Sequence, residues 1–249
     1  MAPMRRSNEP PPKPRSQEYR PEITRLPRLT FLRRLGRNLL HWIARLLLKL
    51  TTRASIRGLE NFPRQGPALI TVNHLGDLDA LACLAFFPRR VDYLSKAELY
   101  DFPVLGWVQR IYGTIWLHRG QPDRRALRAA LNGLQEGRFV AIAPEGRESV
   151  SGCLEPGTGG AAFLALRAKV PVLPVTFTGT QNELIYGNLK RLRRSDISIT
   201  VGLPFWLEGS KNHKQAIQNG TEQIMLHLAA QLPSEYRGVY QDKISQFLS

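Results

Sequence analysis

Cysteine is scarce in this sequence, and long apolar runs are missing. The 249 residues include two cysteines, Cys83 and Cys153, whose spacing fits neither a disulfide framework nor a pair of metal ligands. We therefore expect a reducing, cytosolic setting. No apolar run approaches the roughly 18 residues of a membrane-spanning helix, and the polar N-terminus lacks the apolar region of a signal peptide. We expect neither a transmembrane span nor secretion.

Acidic residues are also few. The chain has 20 Asp and Glu against 35 Lys and Arg, so its formal net charge is +15. Such an excess indicates an anionic partner, which is nucleic acid, anionic lipid or a phosphorylated substrate. The sequence lacks the usual nucleic-acid-binding motifs, and its basic run at 190–194 offers only non-specific affinity. A basic nucleic-acid-binding protein is thus the weaker alternative, and we expect no specific nucleic-acid partner.

Composition divides the chain into three parts. Residues 1–27 are rich in proline and have little to bury, which predicts a disordered basic arm. Residues 28–57 include a basic amphipathic helical pattern. In residues 58–249, apolar strand-like runs alternate with helical patterns, which predicts an α/β domain with a mixed, largely parallel central sheet flanked by helices.

The elements of this α/β domain can be placed from the pattern. The strand candidates are residues 67–72, 91–95, 114–117, 139–143, 171–178 and 196–202. The helix candidates are residues 78–87, 103–111, 122–136, 159–169 and 213–231. Pro171 and Pro174 each remove a ladder donor from one strand candidate. We therefore expect the segment 171–178 to start irregularly or to lie at a sheet edge.

The helical pattern from Arg28 to Leu50 has two faces when residues are placed at about 100° intervals. One arc carries Leu32, Leu35, Leu39, Trp42, Ile43, Leu46, Leu47 and Leu50, and the other carries Arg33, Arg34, Arg37, His41, Arg45 and Lys49. This composition is typical of an interfacial helix on anionic lipid. In the alternative, the leucine face packs on the protein's own core. The basic excess favours the first, a peripheral protein at the cytoplasmic face of a membrane.

The loop 71–79 follows a strand candidate and contains His74, Asp77 and Asp79. Sites in open α/β sheets form beyond the carboxyl ends of strands. On one continuous helix His74 and Asp79 would face roughly 140° apart, so a turn is needed, and Gly76 can supply one through positive φ. His74 can then reach Asp79, with Asp77 as the rival partner. Taken alone, the loop is more simply a helix start capped by Asp77.

Two further strand candidates also end in charged residues. Residues 113–119 end in His118 and Arg119, and an arginine fork suits a phosphate group. The run 139–143 is followed by Pro144-Glu145-Gly146-Arg147-Glu148-Ser149. Since three strand candidates deliver polar residues at their carboxyl ends, the pattern favours a shared site over isolated surface charges.

Taken in order, these blocks resemble the glycerolipid acyltransferases of the 1-acylglycerol-3-phosphate (lysophosphatidic acid) acyltransferase type. The matching blocks are Asn73-His74 with Asp79, residues 113–119, Pro144-Glu145-Gly146 and residues 170–175, within about residues 55–205. The resemblance implies transfer of a fatty acyl group from acyl-CoA or acyl carrier protein, as co-substrate, to a lysophospholipid hydroxyl. It points first to conversion of 1-acylglycerol-3-phosphate to phosphatidic acid, by an acyltransferase domain at 58–249.

The resemblance also implies roles for single residues. His74 is the base that takes the proton of the acceptor hydroxyl, and Asp79 orients it and stabilises the imidazolium. Arg119 and the block Glu145-Gly146-Arg147 contact the phosphate of the acceptor. No cofactor is implied, and scattered histidines predict no metal site. A Gly-x-Ser-x-Gly elbow is absent, which disfavours an esterase.

The sequence departs from the family pattern at informative positions. Arg147 stands where threonine is usual, and Glu148 stands where arginine is usual. Gly76 occupies a position that is often serine, and His118 replaces a common acidic residue. An acyltransferase for a different acceptor than lysophosphatidate is therefore the second alternative.

Overall fold

The computed structural model describes residues 20–118 and 123–248. Its helices are α1 (Phe31–Thr51), α2 (Asp77–Phe86), α3 (Leu105–Tyr112), α4 (Arg124–Gln135), α5 (Gly160–Ala168), α6 (Asn182–Lys190), α7 (His213–Gln231) and α8 (Ile244–Leu248). Its strands are β1 (Thr52–Arg57), β2 (Ala68–Val72), β3 (Val91–Lys96), β4 (Ile115–Leu117), β5 (Phe139–Ile142), β6 (Val172–Thr178) and β7 (Ser195–Val201).

The seven strands form one sheet in the order β1-β7-β6-β2-β5-β3-β4. Every neighbouring pair is parallel except β6 and β7, which are antiparallel. The predicted mixed, largely parallel α/β sheet is therefore confirmed. The parallel strands β2 and β5 lie at the centre, so the loops after them meet at one edge.

Two apolar clusters cover the two faces of the sheet. Leu69 belongs to a cluster with α4, α5 and α7, and its neighbour Ile70 belongs to a cluster with α1 and α2. Successive side chains of a strand point to opposite faces, which explains this division. Both residues are fully buried, so β2 is covered on both sides, as a central parallel strand requires.

Of the two expectations for the proline-containing strand, the edge position was wrong, whereas the irregular start is confirmed: β6 begins after Pro171 and pairs with β7 only from Val175 onward. β6 lies inside the sheet between β2 and β7. The carbonyl oxygen of Pro174 accepts from the amide of Gly202, just beyond the end of β7. In a strand, the N–H and C=O groups of one residue point toward the same neighbouring strand. The ring nitrogen of Pro174, which has no hydrogen to donate, therefore also points toward the chain that follows β7. The missing donor thus falls where β7 has ended.

The N-terminal part differs from the prediction in two ways. Residues 52–57 do not continue the amphipathic helix but form β1, which pairs in parallel with β7. Of the predicted disordered arm, residues 1–19 lie outside the described part of the chain. Residues 20–27 lie against the domain: Thr24 is buried, and the side chain of Arg138 donates to the carbonyl of Pro27.

Helix α1 is packed with its polar side inward. Arg37 and His41 are buried, together with Ala44 and Leu48. The Arg37 guanidinium donates to Asp92 at 2.5 Å and to the carbonyl of Tyr112 at 2.7 Å. The apolar arc stays outside the core, because its residues Leu32, Leu35, Leu39, Trp42, Ile43, Leu46, Leu47 and Leu50 are between 44% and 76% exposed. The structure therefore contradicts the alternative in which the leucine face packs on the core.

Candidate active site

The loop after β2 brings His74 and Asp79 into contact. His74 Nδ1 lies 2.9 Å from Asp79 Oδ2, and the Asp79 side chain is 3% exposed. The loop is anchored by buried Asn73, whose side chain accepts from the amide of Phe177 at 2.7 Å and donates to its carbonyl at 2.9 Å. This pair of bonds fixes the start of the loop to β6, next to His74.

Asp79 also organises the turn that precedes it. Its Oδ2 accepts from the backbone amides of Leu75 at 2.7 Å and Gly76 at 3.0 Å. The carboxylate lies in the first turn of α2, where the helix dipole favours negative charge. One oxygen atom therefore holds both the loop backbone and the histidine ring.

Gly76 is needed here for space rather than for positive φ. Its φ of 178° and ψ of −179° are extended, so the turn predicted from positive φ is not present. A Cβ atom at this position would lie 2.5 Å from the carbonyl oxygen of Thr180 and 2.7 Å from Asn182 Oδ1. Because the chain passes so close to the segment before α6, a serine would not fit without movement.

Asp77, the rival partner, points elsewhere. Its carboxylate accepts from the hydroxyl of Tyr186 at 2.9 Å, and its amide donates to Asn182 Oδ1 at 3.0 Å. Asp77 is exposed. The geometry therefore favours Asp79 over Asp77 as the group that orients His74.

Glu145 braces the same loop from the end of β5. Its two carboxylate oxygens accept from the amide of His74 at 3.3 Å and from the amide of Glu155 at 2.8 Å. Burial raises the pKa of the Glu145 carboxyl to about 7, although both backbone hydrogen bonds act in the opposite direction. Gly146 follows with φ +76° and allows the chain to turn away. Glu145 thus contacts the loop backbone of His74.

The two charged residues after Gly146, Arg147 and Glu148, contact different partners. Arg147 is largely exposed and donates to Glu155 Oε2 at 2.6 Å. Glu148 Oε1 accepts from the side-chain amide of Asn182 at 2.7 Å. Asn182 therefore joins the two carboxyl-bearing segments around His74. No signal in the sequence marked Asn182, because it lies more than a hundred residues from the loop it contacts.

The second block of charged residues is only partly described. Arg119 lies outside the described residues. His118 Nε2 accepts from the backbone amide of Arg20 at 3.0 Å, and the His118 amide donates to Asp123 Oδ2 at 3.0 Å. His118 thus joins β4 to the chain before α1 and to the start of α4. Within residues 20–118 and 123–248, no three His, Cys, Asp or Glu residues are grouped to hold a metal ion.

A cavity of about 240 Å³ opens beside His74. Its polar end carries His74, Asp77 and Glu148. Most of the remaining lining is apolar: Leu40, Ala80, Leu81, Leu84, Tyr93, Leu94, Leu99, Leu105, Val108 and Tyr112. Ser95, Lys96, Gln109 and Thr114 add polar groups to it. The site therefore places a histidine and a buried carboxylate at the polar end of an apolar cavity.

The class that the fold and the site define is an α/β protein with a mostly parallel sheet, in which a histidine held by a buried aspartate lies beside an apolar cavity. The family model described as Acyltransferase matches residues 53–178. The chain therefore belongs to the Acyltransferase family, and the resemblance drawn from the motif blocks is confirmed.

Several known proteins are similar to this chain. A chloroplastic 1-acyl-sn-glycerol-3-phosphate acyltransferase of Brassica napus is 30% identical, over 76% of this chain and 56% of the relative. A lyso-ornithine lipid O-acyltransferase of Pseudomonas aeruginosa is 34% identical, over 55% of this chain and 52% of the relative. The chain spans about half the length of the curated relatives it matches.

The fold also has a solved counterpart. The crystal structure of the 1-acyl-sn-glycerophosphate (LPA) acyltransferase PlsC from Thermotoga maritima has a TM-score of 0.60 to this chain at 22% identity. The similarity covers 77% of this chain and 78% of the other. At this identity the comparison supports the fold alone.

Proposed function

We propose that this protein transfers a fatty acyl group from an acyl thioester to the hydroxyl of a lysophospholipid, with 1-acylglycerol-3-phosphate as acceptor and phosphatidic acid as product. The observation that carries the proposal is the 2.9 Å contact between His74 and buried Asp79 at the polar end of an apolar cavity. The names of the relatives support the same reaction.

The chemistry follows from the tautomer that Asp79 selects. A proton on Nδ1 of His74, donated to the carboxylate, leaves the lone pair on Nε2. Nε2 then removes the proton of the acceptor hydroxyl as the oxygen attacks the thioester carbonyl. The negative charge of Asp79 stabilises the imidazolium that forms. The same proton then leaves with the thiol of the donor, which is acyl-CoA or acyl carrier protein, and no covalent acyl-enzyme is needed.

The cavity accounts for the other requirements of the reaction. Its apolar walls suit an acyl chain whose reacting end lies at His74. For the phosphate of the acceptor, the proposed cations are Arg119 and Arg147. Glu145 and Gly146 support the proposed phosphate site indirectly. The buried side chain of Glu145 accepts from the amide of His74 and so holds the backbone of the loop that carries the histidine.

The proposed setting is the surface of an anionic membrane, on its cytoplasmic face. Among the described residues, no helix is both long and apolar enough to cross a bilayer. Helix α1 instead exposes a long apolar arc, while exposed Arg34, Arg45 and Lys49 lie along one edge of it. Basic side chains at that position can reach lipid phosphates while the apolar arc enters the headgroup boundary.

A second candidate acceptor is a lysolipid with an amino headgroup. Two carboxylates, Asp77 and Glu148, line the cavity against one cation, Lys96, while Arg147 is paired with Glu155. A carboxylate pair attracts an ammonium group more strongly than a phosphate. One of the relatives is named for lyso-ornithine lipid acylation.

Both candidates are tested by one acceptor panel. Purified protein is given acyl-CoA or acyl carrier protein with lysophosphatidic acid, lysophosphatidylethanolamine or a lyso-amino-lipid in anionic vesicles, and products are identified by mass spectrometry. We expect phosphatidic acid in the largest yield and none above background with His74→Gln. A preference for amino acceptors would replace lysophosphatidate as the substrate. Acyl transfer to none of the acceptors would refute the proposed function.

A further inference from the structure

Four large apolar side chains are exposed in six residues between β3 and the first turn of α3. We name residues 102–107 the apolar hairpin; they read Phe-Pro-Val-Leu-Gly-Trp. Phe102 is 52% exposed, Val104 74%, Leu105 43% and Trp107 55%. Single exposed apolar residues are normal on a protein surface, but four of them this close together form a patch, and such patches indicate an interaction site.

The backbone of the apolar hairpin is held firmly. The amide of Phe102 donates to the carbonyl of Leu99 at 3.2 Å, and the amide of Gly106 donates to the carbonyl of Phe102 at 3.0 Å. Gly106 is buried, and a Cβ there would lie 2.3 Å from the carbonyl oxygen of Tyr100. The apolar side chains are therefore displayed outward by a fixed turn.

The apolar hairpin continues the apolar arc of α1. Helices α1 and α3 pack together, and a Cβ on Gly36 would lie 2.9 Å from Ile111 Cγ2. At about 100° per residue, Gly36 and Leu40 fall at the edge of the arc opposite to that of Arg45 and Lys49. Leu40 and Leu105 line the same cavity beside His74. One apolar surface thus extends from α1 across the cavity to the apolar hairpin.

We propose that the apolar hairpin is a second membrane-contact element, which enters the bilayer interface beside α1 and holds the cavity against the lipid. The inference rests on the membrane association proposed above for α1. Charge selects the occupant: Arg34, Arg45, Lys49 and Arg110 are exposed around this surface, and anionic lipid complements them. A second copy would present the same basic groups across a two-fold axis and repel them.

Tryptophan fluorescence tests this contact with an internal control. Trp42 lies on α1, Trp107 in the apolar hairpin, and Trp206 beside α5 and α7 on the other face of the sheet. Trp42 and Trp206 are 63% and 62% exposed, close to Trp107. Three single-tryptophan proteins, with the others changed to Phe, are mixed with phosphatidylglycerol–phosphatidylcholine vesicles that carry dibrominated acyl chains. We expect quenching and a blue shift for Trp42 and Trp107 and neither for Trp206.

The outcomes separate this inference from the proposed function. Quenching of Trp42 alone overturns the second contact and leaves α1 as the membrane element. Quenching of neither overturns the membrane setting altogether. A blue shift of Trp107 without vesicles, together with a dimer in analytical ultracentrifugation, shows that a second copy covers the surface and also overturns the proposal.

A substitution pair makes the test independent of the tryptophan replacements. Val104→Asp places a charge in the apolar hairpin, and Val239→Asp places one at a site of similar exposure, 59%, next to the core formed with α7. We expect Val104→Asp to weaken partition of the otherwise native protein into anionic vesicles about tenfold or more, and Val239→Asp to leave it within about twofold. Equal effects of the two variants would contradict the proposal.

Discussion

Replacement of Asp79 by asparagine is the sharpest perturbation of the proposed site. The change keeps the size of the side chain and an oxygen that can accept from His74 and the two loop amides. It removes the negative charge. At 2.9 Å and an effective dielectric of about 20, a carboxylate and an imidazolium interact by about 6 kcal/mol. Asn supplies part of this through its dipole, so we expect acyl transfer to fall about 10³-fold, or about 4 kcal/mol.

Asp77→Asn is the matched control for this change. This variant makes the same change of a carboxylate to an amide two residues away. Asp77 is exposed, however, and its partner is the hydroxyl of Tyr186. We expect its activity to stay within about threefold of the unmodified protein. Initial rates with lysophosphatidic acid and acyl-CoA measure both variants, and urea unfolding shows whether either has lost stability. A larger loss for Asp77→Asn, or equal losses, would refute the assignment of Asp79 as the orienting group.

Three further predictions concern the support of the site. Gly76→Ala should lower activity about tenfold or more and destabilise the fold by about 1–3 kcal/mol, because its Cβ would lie 2.5 Å from a backbone oxygen. Its control is Gly187→Ala, which lies in open space on α6 and should stabilise the fold by about 0.5–1 kcal/mol. Arg37→Met should cost about 2 kcal/mol in urea unfolding, since it removes the 2.5 Å partner of buried Asp92 and leaves Arg138 at 3.3 Å to satisfy that carboxylate. Exposed Arg45→Met should change stability by less than about 0.5 kcal/mol. The pKa of Glu145 is raised to about 7, so the folded protein binds a proton at this carboxyl more tightly than the unfolded chain does. The contribution of Glu145 to stability should therefore fall as pH rises from about 4.5 to about 7. Glu145→Gln should flatten the pH profile of the unfolding free energy over this window.

Each of these predictions has a contrary result. Equal activity of the Gly76→Ala and Gly187→Ala variants would mean that the close approach to α6 does not constrain the loop. Equal unfolding energies for the two arginine variants would show that the buried ion pair does not anchor α1. An unchanged slope in Glu145→Gln would assign the pH dependence to other groups.

Local patterns predicted the sheet and its edge, but contacts distant in sequence were invisible to them. The loop from His74 to Asp79 could be anticipated because a strand, a turn and a helix start follow one another within a few residues. The contacts of Thr180 and Asn182 with Gly76 could not, since no local signal marks a chain segment that returns from another element. Positive φ was therefore the wrong reason for that glycine.

For helix α1, the sequence pattern could not predict which face is buried. Periodicity separated its two faces correctly, but could not say which face the domain covers. The side with Arg37 is buried because Asp92 and two backbone carbonyls satisfy the guanidinium. β1 was missed although Thr52, Ala54 and Ile56 alternate with exposed residues, because the strand follows α1 without a break and the helical pattern was extended through it.

The most direct test of the central claim is the rate of phosphatidic acid formation by His74→Gln, measured with lysophosphatidic acid and acyl-CoA on anionic vesicles. Glutamine keeps a polar side chain near Asp79 but cannot take the hydroxyl proton at neutral pH. The proposed mechanism predicts a loss of about 10³-fold or more with unchanged vesicle binding. A variant that retains a tenth or more of the activity would show that His74 is not the base.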